Sequence, residues 1–133
     1  MKAFYFKHLL SFHNPSGTSR GILKQKESWF IVIVQGNKTG IGECSLIEGL
    51  SPDPIKSYEQ ILKTVCENIS DGFENLSLKL NSFPSILFGL ETAFRSFESH
   101  DPLLLFPSAF TKNNDSIAIN GLIWMGEKNF MIS

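Results

Sequence analysis

Apolar and polar residues alternate at the start of the chain, and an apolar run over residues 29–34 is typical of a strand buried on both faces. The pattern predicts three strands, over residues 4–13, 22–35 and 39–45. Residues 14–21 are predicted to form a loop, because a proline, an asparagine and two glycines interrupt the pattern there. Gly36-Asn37 is predicted to be a tight turn. Consecutive strands joined by short connections indicate an antiparallel meander.

The apolar positions change period after residue 50 and then follow the three- and four-residue steps of amphipathic helices. A first helix is predicted to have Asp53 as its N-cap and Pro54 at its first position, and to close at Asp71-Gly72. A second helix is predicted to start near Pro84 and to end before Asp101-Pro102. The expected buried faces are Ile55, Tyr58, Ile61, Leu62, Val65 and Ile69 on the first helix, and Ile86, Leu87, Leu90, Ala93, Phe94 and Phe97 on the second. Strands followed by helices predict an α+β fold, with the helix pair packed on one face of the sheet.

A further apolar segment follows a polar loop and covers residues 116–126. Its composition is typical of a buried strand. We expect it either to fold back onto the first sheet or to open a second domain. The second alternative divides the chain into one domain of residues 1–114 and the start of another over residues 115–133.

The composition is that of a globular protein, with 42% hydrophobic and 19% charged residues in 133 positions. Twelve phenylalanines and two tryptophans predict a core built largely from aromatic rings. The net charge is −1 with both signs interspersed, so no nucleic-acid partner is expected. The start of the chain resembles no signal peptide, and no apolar run approaches the roughly 20 residues of a membrane span. We therefore expect a cytoplasmic protein without a membrane partner, while its oligomeric state is left open.

Most of the reactive side chains favour a structural interpretation. Cys44 and Cys66 are expected to be reduced, buried thiols, because a disulfide framework normally contains more cysteines. Lys24 and Lys26 share one side of a strand and are expected to be solvated. The carboxylates near Glu43 lack the density of a calcium loop, so no metal ligand is assigned.

Two irregular segments have more specific chemistry. Thr18-Ser19-Arg20-Gly21 places a guanidinium group between hydroxyls and a glycine, which suits the binding of a carboxylate, although an exposed arginine in a turn is the alternative. Residues 42–51 contain the apolar Leu46, Ile47 and Leu50, which are expected to be exposed to whatever lies beside them. Apolar residues in an irregular segment are typical of a surface that meets a partner.

Several motifs together resemble the capping domain of the enolase superfamily, and within it the o-succinylbenzoate synthase family. They are Thr18-Ser19-Arg20-Gly21, Gly40-Ile41-Gly42-Glu43-Cys44-Ser45, Gly49-Leu50-Ser51 and Pro84-Ser85-Ile86-x-Phe88-Gly89-Leu90-Glu91-x-Ala93. Residues 119–126 resemble the first strand of the barrel that follows this domain. The resemblance covers essentially the whole chain. It implies a three-stranded antiparallel meander followed by a helical pair, plus the first strand of a (β/α) barrel whose remainder is missing.

The resemblance places the chemistry of the family in that barrel. Barrel lysines act as acid and base, and three acidic side chains hold Mg²⁺, which stabilises the enediolate formed beside the substrate carboxylate. The implied reaction is a dehydration in menaquinone biosynthesis, and the implied partners are the chain's own barrel domain and a small carboxylate substrate. No catalytic residue and no Mg²⁺ ligand is assigned to this chain. Lys24 and Lys26 have the spacing of the family's catalytic lysine pair, but they precede the barrel, so this role is not assigned to them. Glu43 matches a position of the capping domain and is not assigned as a metal ligand.

Two loops of the family close over the mouth of the barrel and shape substrate specificity. They correspond to residues 14–21 and 45–52. The residues predicted to lie near the substrate are Ser19, Arg20, Leu46 and Leu50, with Trp124 at the end of the barrel strand. The chain is not expected to be active alone. A dipeptide epimerase fragment of the same superfamily, or a non-catalytic binding module of the same fold, is the alternative.

Overall fold

A computed structural model describes residues 1–18, 21–47 and 49–121 of the chain. Three strands form one sheet: β1 (Lys2–Thr18), β2 (Gly21–Gln35) and β3 (Lys38–Ser45), in the order β1-β2-β3. β2 and β3 are antiparallel, in a register that pairs Trp29 with Cys44. The predicted three-stranded antiparallel meander is confirmed.

β1 is longer than the sequence pattern predicts. The prediction of a loop from residue 14 onwards is wrong for residues 14–18, which continue β1. Pro15 lacks the N–H group that an interior strand needs for its ladder. β1 lies at the edge of the sheet formed by the described residues, where a proline is tolerated because one side of the strand has no neighbouring strand among them.

The helical half contains α1 (Ile55–Glu67), a 3₁₀ turn (Ile69–Asp71), α2 (Gly72–Ser77) and α3 (Pro84–Glu98). The prediction for α3 is confirmed, and the α+β class with it. α2 lies where only a linker was expected, since six residues are too short to show a helical period.

The predicted N-cap of α1 is wrong. α1 begins at Ile55, is preceded by Pro54, and has no side-chain cap. Asp53 is instead buried, and its carboxylate accepts hydrogen bonds from Ser85 at the start of α3. The Asp53 carboxylate therefore binds Ser85, which is distant in sequence, although the local spacing predicted that it would cap α1.

The core lies between one face of the sheet and the helices. Alternate residues of β2 point inward, and the interior faces of α1 and α3 meet them. The prediction of a core built largely from aromatic rings is wrong: three of its sixteen residues are aromatic, namely Trp29, Tyr58 and Phe83, and Phe83 is the only buried phenylalanine among the described residues. The core is formed by Trp29, Ile31, Ile33, Cys44, Leu46, Tyr58, Leu62, Val65, Cys66, Ile69, Leu76, Leu80, Phe83, Ile86, Leu90 and Ala93.

α3 packs against β3 at backbone distance because glycines line the contact. A Cβ atom on Gly42 would overlap the carbonyl oxygen of Gly89 and lie 2.7 Å from the nitrogen of Ala93. The buried hydroxyl of Ser96 crosses the same interface. It accepts a hydrogen bond from the Ile41 N–H at 3.0 Å and donates one to the Pro102 carbonyl at 2.8 Å.

The chain divides into two compact units. The first contains Met1–Leu9 and Glu27–Leu105, which include the core described above. The second contains Leu10–Lys26 and Phe106–Ser133. In its described part, the Gln25 side chain donates to Ser11 Oγ at 3.3 Å.

The predicted strand over residues 116–126 is wrong for its described part. Residues 116–121 have no regular secondary structure, and none of these described residues belongs to the sheet. Ile117 and Ile119 are 60% and 86% exposed, although their apolar character indicated burial. An apolar pattern predicts a strand only where a neighbouring strand is available to pair with it. Residues 122–126 lie outside the described residues, and the division at residues 114 and 115 stays a prediction.

Candidate functional site

The connection between β3 and α1 forms a short closed turn, here called the Leu50 turn (Leu46, Ile47 and residues 49–52). The Ile47 carbonyl accepts hydrogen bonds from the Leu50 and Ser51 amides at 3.0 and 2.9 Å. The Ile47 amide donates to Ser51 Oγ at 3.0 Å. Gly49 has φ of +77°, a left-handed conformation that favours glycine. The backbone of the Leu50 turn is therefore held by its own hydrogen bonds.

The two predicted substrate contacts of this turn point to different environments. Leu46 is 8% exposed and belongs to the hydrophobic core, so the expectation that it is exposed is wrong. Leu50 is 53% exposed at the tip of the turn. Leu46 fixes the start of the turn, whereas Leu50 presents an apolar side chain to whatever faces it. Substrate contact by either residue stays a prediction.

A buried polar group closes the other end of the turn, here called the Asp53 network (Asp53, Ser85 and Tyr58). Asp53 Oδ1 accepts hydrogen bonds from the Ser85 amide at 3.0 Å and from Ser85 Oγ at 2.7 Å. The Tyr58 hydroxyl lies 2.6 Å from Ser85 Oγ. Since the single Ser85 hydroxyl proton is directed to Asp53, Tyr58 is the donor of that bond.

Burial shapes the electrostatics of the Asp53 network. Asp53 and Tyr58 are only 5% and 2% exposed. Burial raises the pKa of Tyr58 well above its ordinary value, against the hydrogen bond with Ser85, which lowers it. Tyr58 therefore remains a protonated donor at neutral pH. The second Asp53 oxygen, Oδ2, has no hydrogen-bond partner within the described part of the chain.

The Asp53 network was not identified from the sequence. Asp53 was interpreted as a local helix cap, and Ser85 appeared only as part of the second-helix motif. The available signal was a conflict at α3, whose preceding residue, Phe83, cannot cap a helix through its side chain. That conflict indicates that the cap must come from elsewhere.

Three predicted substrate residues, Ser19, Arg20 and Trp124, lie outside the described residues. Glu43 accepts a hydrogen bond from the buried Ser28 Oγ at 2.7 Å. Across residues 1–18, 21–47 and 49–121, no three His, Cys, Asp or Glu side chains are grouped to hold a metal ion. No magnesium ligand is assigned among these residues.

The expectation of two free, buried thiols is confirmed. Burial raises the pKa of Cys44 to about 12 and that of Cys66 to about 11. A thiol is nucleophilic as the thiolate, so both groups are held in their unreactive form at neutral pH.

A groove of about 620 Å³ lies between α2 and α3. Phe73 and Phe94 meet edge to face there, with ring centroids 6.2 Å apart. Arg95 bonds Glu91 at 2.7 Å across one turn of α3. The groove is lined by Asp71, Gly72, Phe73, Glu74, Asn75, Glu91, Phe94, Arg95 and Glu98. None of the described helices has the length and apolar character needed to cross a membrane.

Comparison with known proteins gives this geometry a context. No protein-family model matches the chain. It is 32% identical, over 162 residues, to the o-succinylbenzoate synthase of Desulfotalea psychrophila, in a match that covers 98% of this chain and 44% of the synthase. The chain therefore spans less than half the length of that relative.

Two solved structures share the fold. The crystal structure of MenC from Desulfotalea psychrophila LSv54 matches 99% of this chain and 44% of its own, with a TM-score of 0.75 and 26% identity. The o-succinylbenzoate synthase of Thermosynechococcus elongatus BP-1, described with Mg in its active site, matches 75% of this chain and 31% of its own. Its TM-score is 0.60 at 14% identity, which shows a shared fold. The chain is thus a relative of the amino-terminal part of the o-succinylbenzoate synthases, which places it in the enolase superfamily.

Proposed function

We propose that the chain forms the capping domain of an enzyme with o-succinylbenzoate synthase activity. The observation that carries the proposal is the 32% identity to such a synthase over 98% of this chain. The 0.75 TM-score with MenC supports it, because the sheet and the helices then have their counterparts in a solved relative. The activity itself belongs to the proposal, since the match covers 44% of the synthase.

In this proposal, the capping domain contributes substrate contacts and the exclusion of water. Leu50 supplies an apolar surface at the tip of a hydrogen-bonded turn. Arg20 supplies the guanidinium group, whose planar donors match a carboxylate in two parallel hydrogen bonds. Proton transfer and magnesium binding are assigned to barrel residues outside this chain.

The decisive experiment joins this chain to the remaining portion of the Desulfotalea psychrophila synthase, in place of that enzyme's matching segment. We expect the chimera to form o-succinylbenzoate only when Mg²⁺ is supplied, and the 133-residue chain alone to form none. Robust turnover by the chain alone would contradict the proposal. So would an inactive chimera whose circular dichroism and thermal unfolding match those of the parent synthase.

The role of Leu50 can be tested in the same chimera. Leu50→Asp places a charge on the proposed apolar contact and should lower kcat/KM by about tenfold or more. Leu78→Asp is the matched control, because Leu78 is also exposed, at 74%, but lies next to α2. Equal effects of the two substitutions on kcat/KM would remove Leu50 from the proposed site.

A further inference from the structure

The Leu50 turn is fixed at both of its ends. At its start, Leu46 is buried in the core. At its end, Pro52 leads directly into Asp53, which is 5% exposed and bonded to Ser85. Between these points Leu50 is the large hydrophobic residue that the turn exposes, at 53%. The exposed Leu50 thus lies between two buried residues, Leu46 and Asp53.

Asp53 also completes α3. The first amides of a helix have no carbonyl partner within the helix, and Ser85 is the second residue of α3. Its amide donates to Asp53 Oδ1, across a sequence separation of 32 residues. A carboxylate at this position is favoured by the positive end of the helix dipole as well as by the hydrogen bond itself. The end of the Leu50 turn is therefore held to α3 by this hydrogen bond and by the interaction of the carboxylate with the helix dipole.

Tyr58 extends the connection to α1. Its hydroxyl donates to Ser85 Oγ at 2.6 Å, which leaves the Ser85 proton directed at Asp53. Its ring packs between those of Trp29 and Phe83, at centroid distances of 6.0 and 6.5 Å. The network thereby joins the end of the turn to two helices and to the aromatic part of the core.

We propose that Asp53, Ser85 and Tyr58 are positioning residues, which hold the Leu50 turn in one conformation before any substrate arrives. Ordering a mobile loop on binding costs free energy, and a turn that is already ordered avoids this cost. The identity of Leu50 as a substrate contact rests on the proposed function. The claim that the Asp53 network orders the turn does not depend on it.

The test is hydrogen exchange by NMR on the full 133-residue chain, followed at the Leu50 and Ser51 amides. Asp53→Asn keeps an acceptor oxygen but removes the charge, and we expect it to accelerate exchange at both amides at least tenfold. The matched control is Asp101→Asn, because Asp101 Oδ1 also accepts a backbone hydrogen bond, from Leu103 at 2.9 Å, on an exposed surface. That variant should leave both amides unchanged.

A second comparison separates local release from a general loss of stability. Ser96→Ala removes a buried hydroxyl remote in sequence from the turn, so it should accelerate exchange only as far as global unfolding requires. The proposal is overturned if Asp53→Asn and Ser96→Ala have equal effects on the Leu50 and Ser51 amides at matched global stability.

Conservative variants supply the last arm. Ser85→Thr retains the hydroxyl and should keep slow exchange at the Leu50 amide, whereas Ser85→Ala should not. Tyr58→Phe retains the ring and should accelerate exchange at the Leu50 amide less than Asp53→Asn does. This variant keeps the test valid if Asp53→Asn fails to fold. Slow exchange in Ser85→Ala and Tyr58→Phe alike would refute the network. Because no substrate is present, an inactive chimera leaves this result untouched.

Discussion

Three glycines set the distance between the sheet and its principal helix. Gly40 and Gly42 face α3 from β3, and Gly89 faces β3 from α3. A Cβ atom on Gly89 would overlap the Cys44 sulfur, and one on Gly42 would overlap the Gly89 carbonyl oxygen. At Gly42 the obstructing atoms include backbone, which cannot rotate away as a flexible side chain would. These glycines are required by space, with no need for an unusual backbone conformation.

Alanine at either side of this contact should therefore be severely destabilising. We expect Gly42→Ala and Gly89→Ala each to lower the free energy of unfolding by about 3 kcal/mol or more, since overpacking here displaces a helix. Gly121→Ala is the control, because no atom lies within 4 Å of the added Cβ. Urea denaturation followed by circular dichroism measures all three. A loss below about 0.5 kcal/mol for Gly42→Ala would contradict the packing described here.

Some residue assignments followed from the sequence and others could not. The Gly40-Ile41-Gly42 motif was visible, but its physical reason required the position of Gly89. Asp53 was misread because spacing shows only local partners, and its partner Ser85 is 32 residues away. The loop around Leu50 and the exposure of Leu50 were predictable from the sequence, whereas the burial of Leu46 depended on packing against the core.

Among the elements, α1 shows what helical periodicity determines. The predicted inner face includes Tyr58, Leu62 and Val65, all of which are buried. Ile55 was assigned to the same face, but it is 49% exposed at the first position of α1. A periodic pattern gives the direction of a buried face, while its length depends on how far the opposing surface extends.

This difference along α1 has a measurable consequence. Leu62 is fully buried, so Leu62→Ala removes apolar contacts and leaves a cavity, at a cost of about 2–5 kcal/mol. Ile55→Ala should cost less than about 1 kcal/mol, because half of that side chain already contacts solvent. Thermal and urea unfolding of the two variants provide the comparison. Equal losses would contradict the exposure of Ile55.

The elements were predictable where a signal spans several turns or alternations. β2, β3 and α3 were placed close to their observed bounds. The extension of β1 through Pro15 was not, because it depends on the edge position of the strand. The apolar segment 116–126 predicted a strand, but its described residues 116–121 do not join the sheet, since pairing requires a neighbour as well as a pattern.

At the scale of the whole molecule, the core of the described residues contains three groups that lose a proton at alkaline pH: the thiols of Cys44 and Cys66 and the phenol of Tyr58. Burial raises all three pKa values, because a charged thiolate or phenolate loses solvation there. In the unfolded chain the same groups return to their ordinary values. Alkaline pH therefore stabilises the unfolded state relative to the folded one.

Stability should decline as pH rises from the ordinary thiol pKa of 9.0 towards the folded value of about 12 for Cys44. Below that window both states hold the proton, and the stability is fully present. Within it only the folded state does, so the free energy of unfolding falls. Urea titrations at about pH 8 and about pH 10.5 should show this decline, and Cys44→Ala should reduce it.

The control for alkaline unfolding is Val65→Ala, which changes a buried neighbour in the core that has no proton to lose. It should lower stability by the same amount at both pH values. A Cys44→Ala variant whose pH dependence equals that of the parent would show that the thiol does not contribute to the decline.

The backbone contact between β3 and α3 also limits how this fold can be recombined. Gly42 and Gly89 lie in different elements; a side chain on Gly42 would need the space of the Gly89 carbonyl oxygen, and a side chain on Gly89 would need the space of Cys44. If two related domains are recombined at a point between β3 and α3, the strand comes from one protein and the helix from the other. A single alanine in place of one of these glycines would then prevent β3 and α3 from packing together. Breakpoints for shuffling this domain therefore belong before Lys38 or after Glu98, so that β3 and α3 are inherited together.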